Sequence, residues 1–252
     1  MKILADNPNG RNLIKIHIAI IPRAVSRNAK ICYNGLMYFE SRAMAGAELA
    51  AKLIGKYRYE NTVILALDSG GVAVGYQIAI YLHAKIQQLL TEMVRINDES
   101  VNFATVLPGG VVARNPEMSN SEYDYYYSEY MGELDEMLRN AVSKINRSIG
   151  ADEISPESLR GYNVILVSDG LSSGSVLDAA VTWLKPARTE KIILACPIIS
   201  VKALDKAHLL MDELYILGTT PNFISTDHYY DDSAPNSAEV KQMLESVVWN
   251  WV

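Results

Sequence analysis

Residues 164–185 read VILVSDGLSSGSVLDAAVTWLK. Four apolar residues run into a polar turn of glycines and serines, and a helix-forming segment starts directly after it. Strand, turn and helix N-terminus in that order can hold an anion on backbone amides at the positive end of the helix dipole. The same order can present a nucleophilic serine on a sharp turn. The rhythm recurs on both sides. Upstream, TVILAL (62–67) leads through DSGG (68–71) into the helical run VAVGYQIAIYLHAKI (72–86); downstream, KIILACP (191–197), VKALDKAHLL (201–210) and ELYIL (213–217) read as strand, helix, strand. Strands alternating with helices at this spacing predict right-handed βαβ units and an α/β fold with a mostly parallel sheet flanked by helices. Ligands of such sheets bind at the carboxyl ends of the strands. DSGG and SDGLSSGS both fall there.

The rest of the chain frames this core. Residues 13–21, LIKIHIAII, alternate apolar and polar at the strand period, and Asn34-Gly35 between ICY and LMYF signals a tight hairpin turn. Residues 1–37 therefore read as a small β extension and 38–252 as the main domain. SRAMAGAELAAKLIG (41–55) predicts a helix capped by Ser41 and stopped by Gly55. Short strands are expected over 89–95 and 101–106, with a turn at Pro108-Gly109-Gly110 before VVA. Ser119-x-x-Glu122 fits a capping box, opening a long helix to Gly150 whose first half is rich in tyrosine, read as packing. An irregular FISTDHYYDD and a closing helix from Ser237 end the chain.

Composition narrows the function classes. The 252 residues suffice for a full core, and a net charge of −6 argues against a broad footprint on nucleic acid or anionic lipid. Any anionic ligand must be held by local devices. Cys32 and Cys196 lack metal-ligand spacing and read as reduced thiols of a cytoplasmic protein. No apolar run approaches the roughly 18–20 residues of a membrane span, and the amino terminus lacks a signal-peptide core.

The two glycine-serine loops support two chemistries. In the first, amides of residues 170–175 curl around a phosphate, the hydroxyls of Ser172, Ser173 and Ser175 add donors, and Asp169 accepts hydrogen bonds from a sugar. In the second, Gly170-Leu171-Ser172-Ser173-Gly174 matches the nucleophile-elbow pattern G-x-S-x-G, with Asp205, Asp212 or Asp227 and then His228 downstream. The second reading lacks a convincing oxyanion hole, Pro108-Gly109-Gly110 being a poor candidate.

SDGLSSGSVLDAAV (168–181) resembles the ribose-phosphate signature of the type I phosphoribosyltransferases, a strand and two acidic residues followed by a loop ending T-G-x-T. YFESRAMAGAELAAKL (38–53) is similar to the F-x-D-R-x-x-A-G-x-x-L-A-x-x-L opening of one bacterial and archaeal branch, and LALDSGGVAVGYQIAIYL (65–82) to its L-P-R-G-G-V-x-V-A pyrophosphate loop. VRI (94–96) sits where V-R-K is common, and FISTDHYYDDSAPNSAEVKQML (223–244) looks like its aromatic and acidic tail. The likeness covers residues 38 to 250. It implies the type I phosphoribosyltransferase fold, a homodimer, and Mg²⁺-dependent transfer of a phosphoribosyl group between 5-phosphoribosyl 1-pyrophosphate (PRPP) and a nitrogen nucleophile such as a nucleobase. By residue, it places the 5-phosphate on Gly170, Leu171, Ser172, Ser173, Gly174 and Ser175, and a ribose hydroxyl on a catalytic Asp169. Asp68, Ser69, Gly70 and Gly71 would face the pyrophosphate, assisted by Arg95, with Asp169 and Asp68 open to a metal. PRPP or a nucleoside monophosphate and a base are the implied ligands.

Four positions depart from the pattern. Ser168 replaces the first acid of the pair, Asp68 and Ser69 stand for Pro and Arg, and Ile96 stands for Lys. Losing a charge-assisted bond to phosphate costs about 1.5–3 kcal/mol. A non-catalytic PRPP- or nucleotide-binding regulator of the same fold is therefore the alternative, with a serine hydrolase on the GLSSG turn behind it. His17, His83 and His208 read as surface or core histidines, the acidic loop around His228 as solvated, and Trp249 and Trp251 as packing.

Overall fold

The computed structural model describes residues 30–32, 36–96, 101–148 and 155–247. Strands β1 (Lys30–Cys32) and β2 (Leu36–Tyr38) pair antiparallel with Cys32 opposite Leu36. The Asn34-Gly35 turn, the strand expected over 13–21, His17, Trp249 and Trp251 lie outside the described residues. Helix α1 (Arg42–Tyr57) starts where expected, the Ser41 side chain accepting from the Met44 amide. It runs past Gly55, because Leu53 and Tyr57 continue its buried stripe while Gly55 faces open space.

Strand β3 (Thr62–Ala66) feeds helix α2 (Ser69–Leu82), whose apolar sequence suggested a continuation to residue 86. Instead His83 turns left-handed at φ 55° and ends the helix, and Lys85–Gln88 forms β4, parallel to β3 with Ile86 opposite Ile64. An unbroken apolar run cannot by itself separate a buried helix from the strand that follows it. Strands β5 (Glu92–Ile96), β6 (Val101–Leu107) and β7 (Val111–Arg114) then make an antiparallel meander, the last turn using positive φ at Gly109 and Gly110. Helix α3 (Asn120–Ser148) opens on the Ser119–Glu122 capping box and lies on this meander, burying Leu134, Ala141 and Ile145 beside Val94, Phe103 and Val106. Tyr123, Tyr126, Tyr127 and Tyr130 pack against this core, and Tyr125 is exposed. Tyr123 stacks on Phe103 at 4.4 Å, and the Arg114 guanidinium lies 3.9 Å over Tyr123.

The second half supplies β8 (Asn163–Val167), the short β9 (Gly170–Leu171), α4 (Ser175–Leu184), β10 (Lys191–Ser200), α5 (Val201–Leu210), β11 (Glu213–Thr220) and α6 (Ser237–Ser246). The main sheet runs β11-β10-β8-β3-β4 with every pairing parallel, and β9 extends it beside β10. Alternate strand residues enter opposite faces. Ile64, Ile165, Val167 and Ile193 pack against α1 and α2, whereas Val63, Leu65, Leu166 and Leu194 pack against α4 and α5. Burial on both faces explains why these strands read as continuous apolar runs. Among the described residues no helix is long and apolar enough to cross a membrane.

Candidate functional site

From β3 the chain moves outward to β4, then returns to lay β8 on the other side of β3. At such a switch point the loops leaving two adjacent strands diverge and open a crevice. Here those loops are 67–71 and 168–175. They touch. The Asp68 carboxylate caps α2 by accepting the Gly71 amide at 2.5 Å, and its other oxygen accepts the hydroxyl of Ser168 at 2.6 Å. Ser168, where the resemblance expects an acid, is fully buried and serves as a donor to the acid on the neighbouring loop. Gly70 lies flat against Asp169, since a Cβ there would sit 1.8 Å from the carboxylate oxygen. Ser69 is the first residue of α2 and half-buried.

Asp169 is also buried, and Oδ2 accepts from the Nε of Arg42 at 2.6 Å. Arg42 is 1% exposed and reaches further carboxylates: Nη1 donates to Asp232 Oδ1 at 3.0 Å and to its carbonyl at 2.8 Å, and Nη2 donates to Asp227. Its guanidinium carbon lies 4.5 Å from the Tyr230 ring centroid, and the Tyr230 hydroxyl donates to the Asp169 carbonyl at 2.5 Å. Burial pulls the Arg42 pKa down, but the surrounding acids more than offset it and hold the group firmly charged. Burial and the neighbouring charge of Asp68 push the Asp169 carboxyl up to about 7 against the pull of Arg42. The aspartates of the 227–232 loop are therefore not merely solvated. Two of them anchor a buried arginine.

The rest of loop 168–175 faces another way. Leu171 is buried in the core, the exposed Ser172 uses its carbonyl to accept the Ser200 hydroxyl at 2.7 Å, and the Ser173 and Ser175 hydroxyls lie 3.1 Å apart. Gly170 packs under Thr226 and Phe223, and Gly174 under the stem of Lys206, so close that a Cβ would meet Thr226 at 2.9 Å and Lys206 at 2.4 Å. Helix α4 begins at Ser175 with no side-chain cap, whereas side chains cap α1, α2, α5 and α6. Ser173 and Ser175, at this helix start, line a cleft of about 400 Å³ together with Met93, Arg95, Asn102, Asn115 and Glu117. The structure thus brings Arg95 to the serine end of the loop. The resemblance implies a role for it at the pyrophosphate, with residues 68–71.

Comparison with known proteins gives the family and the fold. The profile described as "Phosphoribosyl transferase domain" matches residues 37–217. The chain belongs to the phosphoribosyltransferase family. Two Mycobacterium tuberculosis proteins, from strains CDC 1551 and H37Rv and provisionally named phosphoribosyl transferases, are each 26% identical over 199 residues, 76% of this chain and 43% of theirs. The chain thus spans less than half the length of those curated relatives. A crystal structure of a Thermus thermophilus protein superposes with a TM-score of 0.62 at 23% identity, covering 86% of this chain and 100% of that one, which shows a shared fold.

Among the described residues of this member of the phosphoribosyltransferase family the hydrolase alternative finds no assembled triad. His228 Nε2 pairs with the Tyr38 hydroxyl at 2.8 Å, Asp227 binds Arg42, and Asp212 accepts the Ile192 amide at 2.8 Å. Pro108, the weak oxyanion candidate, uses its carbonyl to accept the Trp183 indole at 3.1 Å. His83 is an exposed helix cap, and Cys196 is a buried free thiol. Sequence reasoning missed Arg42. The available signal was an arginine one residue past an N-cap serine, at the start of an otherwise small and apolar helix face, in a chain whose tail is rich in aspartate.

Proposed function

We propose that this chain is a phosphoribosyltransferase, moving a phosphoribosyl group between PRPP and a nitrogen nucleophile, a nucleobase by family resemblance, as a cytoplasmic homodimer. The observation that carries this reading is the uncapped α4 N-terminus, with Ser173 and Ser175 lining one cleft together with Arg95. A helix N-terminus, two hydroxyls and a guanidinium at one cleft suit the dianionic 5-phosphate. Leu171 would pin the loop to the core while the amides of residues 172–175 hold the phosphate, so that the ribose reaches back toward the tips of β8 and β3. Displacement at the anomeric carbon passes through an oxocarbenium-like state, and the chain's part is to bind and orient.

The resemblance also implies Mg²⁺, and the carboxylates do not fit as its ligands. Asp68 is engaged by Gly71 and Ser168 and Asp169 by Arg42, and among the described residues no cluster of three metal-ligating side chains forms. In this reading any magnesium belongs to the donor's own oxygens, as is usual for an ion that keeps few protein ligands.

Calorimetric titration of ribose 5-phosphate and PRPP into wild type and Ser173→Glu tests the reading. Binding that disappears in the variant while its thermal transition persists supports it; equal affinity in both sinks it. One observation favours a second reading, a nucleotide binder without transfer: the ribose-facing acid of the family is here buried against Arg42. Nucleotide binding without pyrophosphate release from PRPP with any of the common bases would select that alternative.

A further inference from the structure

We infer that the crevice is polarised, so that it takes ribose 5-monophosphates bearing an uncharged or cationic anomeric substituent, that is nucleoside 5′-monophosphates, in preference to PRPP. The inference rests on the phosphate reading of loop 171–175 and adds the chemistry of the opposite end. At the serine end stand a helix N-terminus without a side-chain cap and Arg95, and the one acid lining the cleft, Glu117, is paired with Lys202 at 2.6 Å, so that cationic groups outnumber it. At the other end an anion meets a different surface. The α2 N-terminus, which could otherwise receive a phosphate, is already capped by the chain's own anion, Asp68. Gly70, whose lack of a side chain would let a ligand approach the backbone, is covered by the Asp169 carboxylate. The cation at this end, Arg42, is buried and committed to Asp169, Asp227 and Asp232.

Three carboxylates, Asp169, Asp227 and Asp232, thus bond one guanidinium, and a fourth, Asp68, adds its charge beside Asp169. A pyrophosphate placed there would add several negative charges to a region already in surplus, whereas uncharged ribose hydroxyls add none. The nitrogen substituent of a nucleotide carries no such penalty. The site distinguishes its ligands at the anomeric position and not at the 5-phosphate.

The test is calorimetric titration of ribose 5-phosphate, adenosine 5′-monophosphate and PRPP, each with millimolar Mg²⁺, into wild type and Asp68→Asn. Asparagine keeps an oxygen to cap Gly71 and removes the charge. Wild type is expected to bind both monophosphates at least as tightly as PRPP. Removal of one nearby charge is expected to improve PRPP roughly tenfold while changing ribose 5-phosphate less than about twofold. PRPP binding tenfold tighter than ribose 5-phosphate in wild type would overturn the inference and leave the phosphate reading standing. An unchanged PRPP-to-monophosphate ratio in Asp68→Asn would also overturn it. Failure of all three ligands to bind wild type would overturn both readings together. Should the variant not fold, the wild-type ratio decides alone.

Discussion

The Nε of Arg42 and the Oδ2 of Asp169 lie 2.6 Å apart across 127 residues of chain, joining the start of the first long helix to the tip of a central strand. The same guanidinium holds the loop after the last strand through Asp227 and Asp232. Three segments distant in sequence therefore share one buried cation. Replacing it leaves buried acid without a partner, which is costly in a way that losing an exposed pair is not. Arg42→Met is expected to destabilise the fold by about 3–5 kcal/mol, read from urea unfolding. Asp227→Asn, whose side chain is 74% exposed, should cost less than about 1 kcal/mol. Equal effects of the two substitutions would contradict this hierarchy.

Asp169 gives stability a definite pH dependence. Its carboxyl is pushed from 3.8 up to about 7 by burial and by Asp68. Between those values the folded chain holds a proton that the unfolded chain has released, so stability from this group falls as pH rises and is lost above about 7. Glu213 behaves oppositely: despite burial, Lys56, Lys191 and Tyr57 hold it down at about 2, so its contribution is lost only as pH falls below 4.5. The window from pH 5 to 8 therefore isolates Asp169 from Glu213. Melting temperature should decline across it, by an amount on the order of 2–4 kcal/mol in stability, and the decline should flatten in Asp68→Asn. A wild-type profile that rises over this window would refute the assignment.

Glycine substitutions separate close approach from mere turn preference. Gly70→Ala forces a methyl to 1.8 Å from Asp169, which must move and loosen its contact with Arg42. A loss of about 1–3 kcal/mol or more is expected, as for overpacking in a closed site. Gly55, inside α1 and facing open space, should respond in the other direction. Gly55→Ala is expected to stabilise by about 0.5–1 kcal/mol in the same unfolding assay.

Much of this architecture could be read in advance because the periodicities were local. The continuous apolar runs at residues 62–67 and 164–167, the capping box at Ser119 and the glycine-serine turns all depend on neighbours within one element. The boundary between α2 and β4 could not be read, since it depends on His83 adopting a left-handed turn inside an apolar run. The direction of loop 168–175 was equally hidden. Asp169 and Ser173 are four residues apart, yet one faces a buried arginine and the other an open cleft. That division is set by Arg42 and Tyr230, which come from opposite ends of the chain. No pattern within the loop could reveal it.

Arg95 offers the sharpest test of which end of the loop receives phosphate. It stands on β5, in the meander inserted between β4 and β8, and its side chain lines the cleft with Ser173 and Ser175. A guanidinium bonded to phosphate contributes about 1.5–3 kcal/mol, so Arg95→Gln should weaken ribose 5-phosphate by roughly 10- to 100-fold. The weakening should shrink as salt is raised, because part of the attraction is screened. If Arg95 instead served the anomeric end, the variant would weaken PRPP and spare ribose 5-phosphate. The two outcomes differ in which ligand suffers, so one calorimetric series on one variant distinguishes them. A loss shared equally by ribose 5-phosphate and PRPP would place Arg95 at the 5-phosphate.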